Sequence, residues 1–257
     1  MFYQIKQYIK FLLKSTNHHG VHSPFVYDLI TKCFYDKSSY EAYSLILNYK
    51  KELLKNNTKI SVTDLGAGSH VLKQNKRSVS KMTKNAGSTD KRAKLLYRFT
   101  NYFKPENVLE LGASLGVATQ TLNLGNPDAN ITTVEGCPNI SEFTKVNFQK
   151  HNLENINLIT GNFDDVTKNL KSNNYDLIFF DGNHQKEATL QYFEILLETA
   201  NNNSVFIFDD IYWSKNMTEA WKTIKQHPKV TVTIDTFFWG FVFFRKEQVK
   251  EHFVVRV

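Results

Sequence analysis

Acidic side chains follow two apolar segments in the second half of the chain. Asp181 comes directly after Leu177–Phe180, and Asp209 and Asp210 follow Val205–Phe208. Short apolar runs of this kind are typical of buried strands. If the two strands are neighbours in a parallel sheet, their ends lie about 5 Å apart and the three carboxylates converge. Carboxylates this close repel one another unless a cation holds them, and oxygen ligands favour Mg²⁺ or Ca²⁺ over zinc.

A histidine lies close to the first of these acids. His184 is three residues beyond Asp181, where the chain turns from a strand into the next helix. The imidazole of histidine titrates near neutral pH, so it can accept a proton from a hydroxyl group. Two simpler interpretations stay open: His184 can bond a neighbouring backbone group at the start of a helix, and Asp209 and Asp210 can cap a helix.

Two glycine-rich segments could form a turn beneath a ligand. They are residues 64–69 (DLGAGS) and residues 110–116 (ELGASLG), and each follows a β-like run. Only the second is followed by a helix, then a strand at Ile131–Val134 and an acid, Glu135. The first leads into a basic, polar stretch with no strand at the expected distance. The pattern therefore predicts that residues 110–116 form the ligand-binding loop.

The spacing inside this loop distinguishes between classes of ligand. Gly112 and Gly116 let the backbone approach a ligand and let the following helix pack closely on the strand. Glu135, 23 residues after Gly112, is placed to accept hydrogen bonds from ribose hydroxyls. A dinucleotide-binding loop would have a glycine in place of Ser114, and no turn that would cradle a pyrophosphate is evident.

The elements that position these residues follow a regular rhythm. From Asn107 onward, short apolar runs alternate with helical segments, which predicts a βαβ series with a parallel sheet. The last two β-rich runs, Val230–Ile234 and Phe237–Phe244, are joined by too few residues for a crossover helix, so we expect an antiparallel hairpin there. The five preceding strands are predicted at Val108–Leu111, Ile131–Val134, Ile156–Ile159, Leu177–Phe180 and Val205–Phe208.

The ordered set of motifs resembles the class I S-adenosylmethionine-dependent methyltransferases over about residues 95–245. The resemblance rests on residues 108–116 (VLELGASLG), Val134 with Glu135, residues 161–163 (GNF) and residues 176–181 (DLIFFD). It implies an α/β, Rossmann-like seven-stranded sheet of order 3-2-1-4-5-7-6 with strand 7 antiparallel. Asn162 stands where the family usually has an aspartate. The cofactor-binding residues that it implies are Glu110, Gly112, Ser114, Gly116, Glu135, Asn162, Phe163 and Asp181.

The acidic positions are similar to those of metal-dependent O-methyltransferases of the catechol and caffeoyl-coenzyme A type. That group places one Asp after strand 4, matched by Asp181, and an Asp-Asn pair after strand 5, matched by Asp209 and Asp210. Asp210 replaces the Asn, and His184 stands where the group has a lysine. The resemblance implies in-line methyl transfer to a small-molecule hydroxyl, with Asp181 and His184 as catalytic residues. Mg²⁺ would be held by the three aspartates.

The N-terminal part is predicted to be helical. Ile5, Ile9, Leu12 and Leu13 form one stripe of an amphipathic helix over residues 3–14, which we expect to pack on its own domain or on a second subunit rather than on a lipid surface. Lysines interrupt this segment, so it does not match a signal peptide or a membrane span, and a cytoplasmic location is expected. We predict an α-rich extension over residues 1–100, with a possible homodimer contact, and a catalytic domain over residues 101–257.

The positive charge is concentrated in one segment. The chain has a net charge of +7, and residues 70–94 alone carry eight basic residues against Asp90. A solvated loop and helix face is the simplest interpretation, but this segment could also bind RNA, an acidic substrate or a membrane surface. The alternatives to a small-molecule methyltransferase are therefore an RNA or protein methyltransferase, a non-catalytic cofactor-binding module and, more distantly, a nicotinamide oxidoreductase.

Overall fold

The computed structural model describes residues 2–63, 75–86 and 88–257. The competing glycine-rich segment, residues 64–69, and Lys73 of the basic segment lie outside these residues. The chain divides into two compact units. The first unit consists of residues 1–35 and 167–257, and the second of residues 36–166.

The helices lie mainly where the 3.6-residue periodicity indicated. Ser23 illustrates a capped helix start, because its Oγ accepts a hydrogen bond from the Val26 N–H and Pro24 occupies the first turn. The α-helices are α1 (Phe2–Lys14), α2 (Pro24–Leu29), α3 (Glu41–Lys55), α4 (Val79–Ala86), α5 (Asp90–Phe103), α6 (Val117–Gly125), α7 (Pro138–Lys150), α8 (Phe163–Leu170), α9 (Lys186–Leu196) and α10 (Lys215–Gln226). No helix among the described residues is both long and apolar enough to cross a membrane.

The strands follow the predicted βαβ series and its terminal hairpin. They are β1 (Lys59–Ser61), β2 (Lys76–Ser78), β3 (Asn107–Leu111), β4 (Asn130–Glu135), β5 (Ile156–Thr160), β6 (Leu177–Phe180), β7 (Val205–Asp209), β8 (Val232–Asp235), β9 (Trp239–Phe243) and β10 (Glu251–Val254).

In the second unit, β3, β4 and β5 are parallel neighbours connected by helices. Val108 of β3 is paired with Ile131 of β4, which in turn is paired with Ile156 of β5. Three of the five β3 side chains are apolar and buried, and almost all of α6 is buried as well. The apolar runs form strands because burial on both faces removes them from water. Separately, β1 and β2 form an antiparallel pair.

In the first unit, β6 and β7 are parallel neighbours and completely buried. On its other edge, β7 pairs with β9 in the antiparallel direction. β8 pairs with β9 as the predicted hairpin, with Asp235 opposite Gly240. The aromatic side chains Phe206, Phe208 and Trp239 are at most 1% exposed, so they form the core rather than a surface.

The strands β3 to β10 belong to one sheet with the order β10-β8-β9-β7-β6-β3-β4-β5. If the strands are numbered along the chain with β3 as strand 1, and the sheet is read from β5, the first seven strands have the order 3-2-1-4-5-7-6 with strand 7 antiparallel. This order confirms the predicted fold class. The sheet has one strand more than the predicted seven, since β10 pairs in parallel with β8. Thr16 supports β10, because its N–H donates to the Val254 carbonyl over 2.9 Å.

The predicted division at residue 100 does not coincide with the compact units. Residues 1–35 belong with the C-terminal part of the chain, and residues 36–100 belong with β3 to β5. That residues 1–100 form an extension separate from a catalytic domain therefore stays a prediction.

Candidate active-site residues

The glycine-rich loop between β3 and α6 has an unusual backbone. Gly112, Ser114 and Gly116 have φ values of 115°, 45° and 78°, all in the left-handed region that side chains disfavour. A Cβ on Gly116 would also overlap the ring of Phe148 and the hydroxyl of Tyr49. Gly116 is therefore required by both its conformation and its surroundings.

Hydrogen bonds fix this loop in place. The N–H groups of Gly112 and Ala113 both donate to the Val134 carbonyl, over 2.9 and 3.1 Å. The Tyr49 hydroxyl donates to the Leu115 carbonyl over 2.9 Å, and the Thr144 hydroxyl donates to the Ser114 carbonyl over 2.6 Å. Because the loop is already ordered, a ligand would not have to bear the entropy cost of ordering it.

Glu135 lies at the end of β4 with its carboxylate directed towards this loop. Its Oε2 accepts from the Ser114 N–H over 2.9 Å, and its Oε1 accepts from the Cys137 N–H over 2.8 Å. These two bonds hold the orientation of the carboxylate, and a carboxylate can accept about four hydrogen bonds. The structure thus brings together Ser114 and Glu135, which belong to two different motifs and are 21 residues apart in the sequence.

Glu110 is completely buried on β3, immediately before the loop. Its Oε2 accepts hydrogen bonds of 2.5 Å from the hydroxyls of Thr119 and Thr133, the latter being its partner across the strand pair. Its Oε1 is buried and has no hydrogen-bond partner within the described part of the chain. Burial raises the pKa of Glu110 to about 7, against the lowering effect of the two threonines, and the charge of Glu135 raises it further.

This uncompensated oxygen indicates that the site suits a ligand. A buried carboxylate oxygen without a donor costs free energy, so it is expected where a ligand or a water supplies the donor. Together with the glycine that the loop requires, it fits a nucleoside cofactor carrying hydroxyl and ammonium donors.

Asn162 and Phe163 lie where β5 passes into α8. The side-chain oxygen of Asn162 accepts from the Asp164 N–H over 3.2 Å, and Phe163 is 8% exposed. The Gly161 N–H donates to the Glu135 carbonyl over 3.0 Å, which places this turn beside the end of β4. In the second unit, the predicted cofactor residues therefore gather at the carboxyl ends of β3, β4 and β5, as expected for an α/β sheet.

Asp181, His184 and Asp209 form a cluster in the first unit. One potential ligand atom from each lies within 4.8 Å of the others. Asp209 is 8% exposed, and the other two are half-buried. This grouping includes two of the three predicted metal ligands and the predicted base. Asp210, the other predicted ligand, is not a member of it, and its φ of 52° lies in the left-handed region.

The local backbone explains how His184 reaches the cluster. Asn183, with a φ of 50°, turns the chain in a left-handed conformation, and its amide donates to the Tyr192 hydroxyl over 2.9 Å. Asp209 is opposite Trp239 in the antiparallel β7–β9 pair, and the Trp239 indole N–H donates to its Oδ1 over 2.7 Å. The bond fixes one carboxylate oxygen and thereby the direction of the other.

The helix-cap interpretation of Asp209 and Asp210 is wrong. The residue that caps α10 is Ser214, whose Oγ accepts from the Met217 N–H over 3.1 Å. The aromatic residues Tyr212 and Trp239 also have defined hydrogen-bond contacts. The Tyr212 hydroxyl donates to Asp235 over 2.6 Å, and Trp239 is 1% exposed. Trp239 is a positioning residue for Asp209.

Several of these contacts have no sequence signal. Tyr49 and Thr144 hold the loop from helices that are distant along the chain, and Thr119 and Thr133 hold Glu110. Only Thr133 could have been inferred, because strand register places it beside Glu110 once β3 and β4 are aligned.

Comparison with known proteins agrees with this geometry. Residues 109–211 match the family model described as a methyltransferase domain. The matched residues include the glycine-rich loop, Glu135 and the Asp181–His184–Asp209 cluster. Among curated proteins, none matches the sequence.

Solved structures show the same fold at low sequence identity. The SAH-bound methyltransferase PaMTH1 of Podospora anserina is 14% identical with a TM-score of 0.60, covering 88% of this chain and 98% of that one. The SAH complex of an O-methyltransferase from Bacillus cereus is 16% identical with a TM-score of 0.53, covering 82% and 94%. TomG of Streptomyces achromogenes, in complex with SAM, is 13% identical with a TM-score of 0.57, covering 81% and 91%.

Proposed function

We propose that this protein transfers the methyl group of S-adenosylmethionine to a hydroxyl oxygen of a small molecule in the cytoplasm. The observation that carries the proposal is the hydrogen bond from the Ser114 N–H to Glu135, which joins the two cofactor motifs within the residues that match a methyltransferase domain. Support also comes from the related folds, which were determined with SAH or SAM bound and are described as methyltransferases.

The glycine-rich loop and Glu135 supply the donor side. When bound, S-adenosylmethionine supplies a methyl group made electrophilic by its sulfonium. Glu135, oriented by two backbone N–H groups, accepts hydrogen bonds from the ribose hydroxyls. The buried Oε1 of Glu110 accepts a donor of the ligand. Gly112 and Gly116 allow the ligand close access to the backbone. Asn162 and Phe163 contribute the adenine side of the site.

The Asp181–His184–Asp209 cluster supplies the acceptor side. The imidazole of His184 would take the proton of the acceptor hydroxyl as its oxygen attacks the methyl carbon, and the electrons of the carbon–sulfur bond would pass to sulfur. The carboxylates of Asp181 and Asp209 stabilise the imidazolium that forms, since their atoms lie within 4.8 Å of it. Most of the rate acceleration is expected from holding the two reacting atoms in line.

As an alternative to proton transfer to His184, the same cluster fits a divalent cation, which would lower the cost of ionising the acceptor hydroxyl; His184 would then be a ligand rather than the base. The donors of the cluster in this structure are two carboxylates and an imidazole, with His184 in place of the predicted Asp210. An imidazole nitrogen suits Mn²⁺, Co²⁺ or Zn²⁺ better than Mg²⁺, whose ligands are usually oxygen. We therefore propose a transition-metal preference rather than the magnesium site expected from the sequence.

The decisive experiment is a tritiated-methyl transfer screen against small phenols, lipids, RNA and proteins. The screen is run after chelation and again with Mg²⁺ or Mn²⁺ added. We expect transfer to phenols. Transfer that survives chelation supports His184 as the base, whereas transfer that requires a cation, with Mn²⁺ more effective than Mg²⁺, supports the metal alternative. Transfer to RNA alone would instead assign the exposed Lys76, Lys81 and Lys84 to substrate binding. Tight cofactor binding without transfer to any class would indicate a non-catalytic module.

The cofactor site is tested separately by thermal denaturation. S-adenosylmethionine or its demethylated product should raise the melting temperature of the wild-type protein. Glu135→Ala should weaken binding by about 1.5–3 kcal/mol, because charge-assisted bonds to the ribose are lost. Glu142→Ala removes an exposed acid from α7 and serves as the matched control. Equal affinity of a folded Glu135→Ala protein would remove Glu135 from the site.

A further inference from the structure

Helix α1 presents an apolar face to solvent. Phe2 is 87% exposed, Leu13 82%, Ile9 54%, Ile5 50% and Leu12 41%. These positions recur every three or four residues and therefore share one side of the helix. Contiguous exposed apolar surface on a folded protein commonly marks a binding surface.

The helix is nevertheless held firmly on the first unit by its other side. Phe11 is 6% exposed, and its ring lies 5.6 Å from that of Phe237. The ring of Tyr8 lies 4.8 Å from the same Phe237 ring, in an edge-on arrangement. After the helix, Thr16 joins the backbone of β10. The outward direction of the apolar stripe is thus set by packing, and the expectation that the stripe packs on its own domain is wrong.

Positive charge accompanies the apolar face. Lys6, Lys10 and Lys14 are exposed at intervals of four residues, so they form a row along one flank of the stripe, and the helix contains no acidic residue.

We propose that this face of α1 docks on an anionic phospholipid bilayer. An exposed apolar stripe flanked by lysines, on a helix too short to span, is the arrangement that lies in the plane of a membrane interface. The lysine stems can cover apolar surface while their ammonium groups reach lipid phosphates. A second copy fits less well, because pairing this helix with itself brings two lysine rows together without an acid to offset them. This inference goes beyond the proposed methyl transfer and does not depend on it.

Vesicle pelleting with the full chain tests the proposal. The probes are sucrose-loaded vesicles of phosphatidylcholine alone and of phosphatidylcholine with an equal part of phosphatidylglycerol. We expect pelleting with the phosphatidylglycerol vesicles at low salt and its loss at high salt, because screening weakens the attraction of the lysines.

Two variants separate charge from apolar contact. Each lysine near the membrane surface contributes roughly fivefold to the affinity. Replacing Lys6, Lys10 and Lys14 by Gln should therefore weaken binding about 100-fold. The matched control replaces the exposed Lys51, Lys55 and Lys59 by Gln, which changes the net charge equally and should leave binding unchanged.

The apolar contact is tested by Ile9→Ser combined with Leu13→Ser. Both side chains are exposed, so folding should be preserved, as circular dichroism can verify. Binding should fall to the level seen with phosphatidylcholine alone. The control replaces Val146 and Val249, which are 55% and 79% exposed, by Ser.

The proposal would be overturned by failure of the wild-type protein to pellet with anionic vesicles, or by equal pelleting with neutral ones. It would also be overturned by a concentration-dependent dimer that dissociates in the Ile9→Ser, Leu13→Ser variant. That result, measured by light scattering, would show that a second copy covers the face.

Discussion

The buried carboxyl of Glu110 should make the stability of the protein depend on pH. Its pKa is raised from 4.5 to about 7 in the folded chain. Between these values the folded protein holds a proton that the unfolded chain has released, so the free energy of unfolding decreases as pH rises from about 4.5 to 7. Below this window both states are protonated, and above it neither is. The total loss is roughly 3 kcal/mol, since each pKa unit is worth about 1.4 kcal/mol.

Glu110→Gln removes this titration while keeping a carbonyl oxygen for the hydroxyls of Thr119 and Thr133. Urea denaturation at pH 5, 6, 7 and 8 should show that the wild-type protein loses stability relative to the variant, by roughly 2.5 kcal/mol over the range. Asp235, whose pKa burial also raises, contributes equally to both proteins and cancels in the difference. Glu154→Gln, at an exposed position, is the control. A Glu110→Gln protein that retains the wild-type pH slope would refute the reasoning.

The remaining predictions concern the catalytic cluster and the loop. His184→Gln should reduce turnover about 10²–10⁴-fold with cofactor affinity preserved, whereas near-normal turnover in steady-state kinetics would make His184 structural. If a cation binds, exhaustive chelation should abolish transfer but leave cofactor binding intact, and full activity after chelation would exclude the metal role. Trp239→Phe removes the N–H that orients Asp209 and should lower kcat more than it changes KM, with Trp221→Phe as the comparison. Gly116→Ala should destabilise the fold by about 1–3 kcal/mol in thermal denaturation, because Phe148 occupies the space of a Cβ; an unchanged melting temperature would contradict this.

The sequence pattern by itself predicted the βαβ series and the terminal hairpin, whereas the order of the strands was implied by the resemblance to the class I methyltransferases. Apolar runs of strand length alternate with helical segments, and parallel strands require such crossovers, so the βαβ series could be recognised from periodicity. The short link before Phe237 excluded a crossover, and the structure pairs β8 and β9 accordingly. The loop at Gly112–Gly116 and the acid Glu135 were located because glycine spacing and strand-end position are local properties of the chain.

Tertiary structure decided what depends on contacts distant along the chain. The strand β10 has charged and polar residues at half of its positions and exists because β8 and Thr16 supply partners for its backbone. The left-handed backbone at Asn183 brings His184, rather than the predicted Asp210, into the cluster. Helical periodicity locates the apolar stripe of α1 but does not show whether the stripe faces the core or the solvent. That orientation depends on how the rest of the helix packs. In this protein, Phe11 against Phe237 sets that orientation.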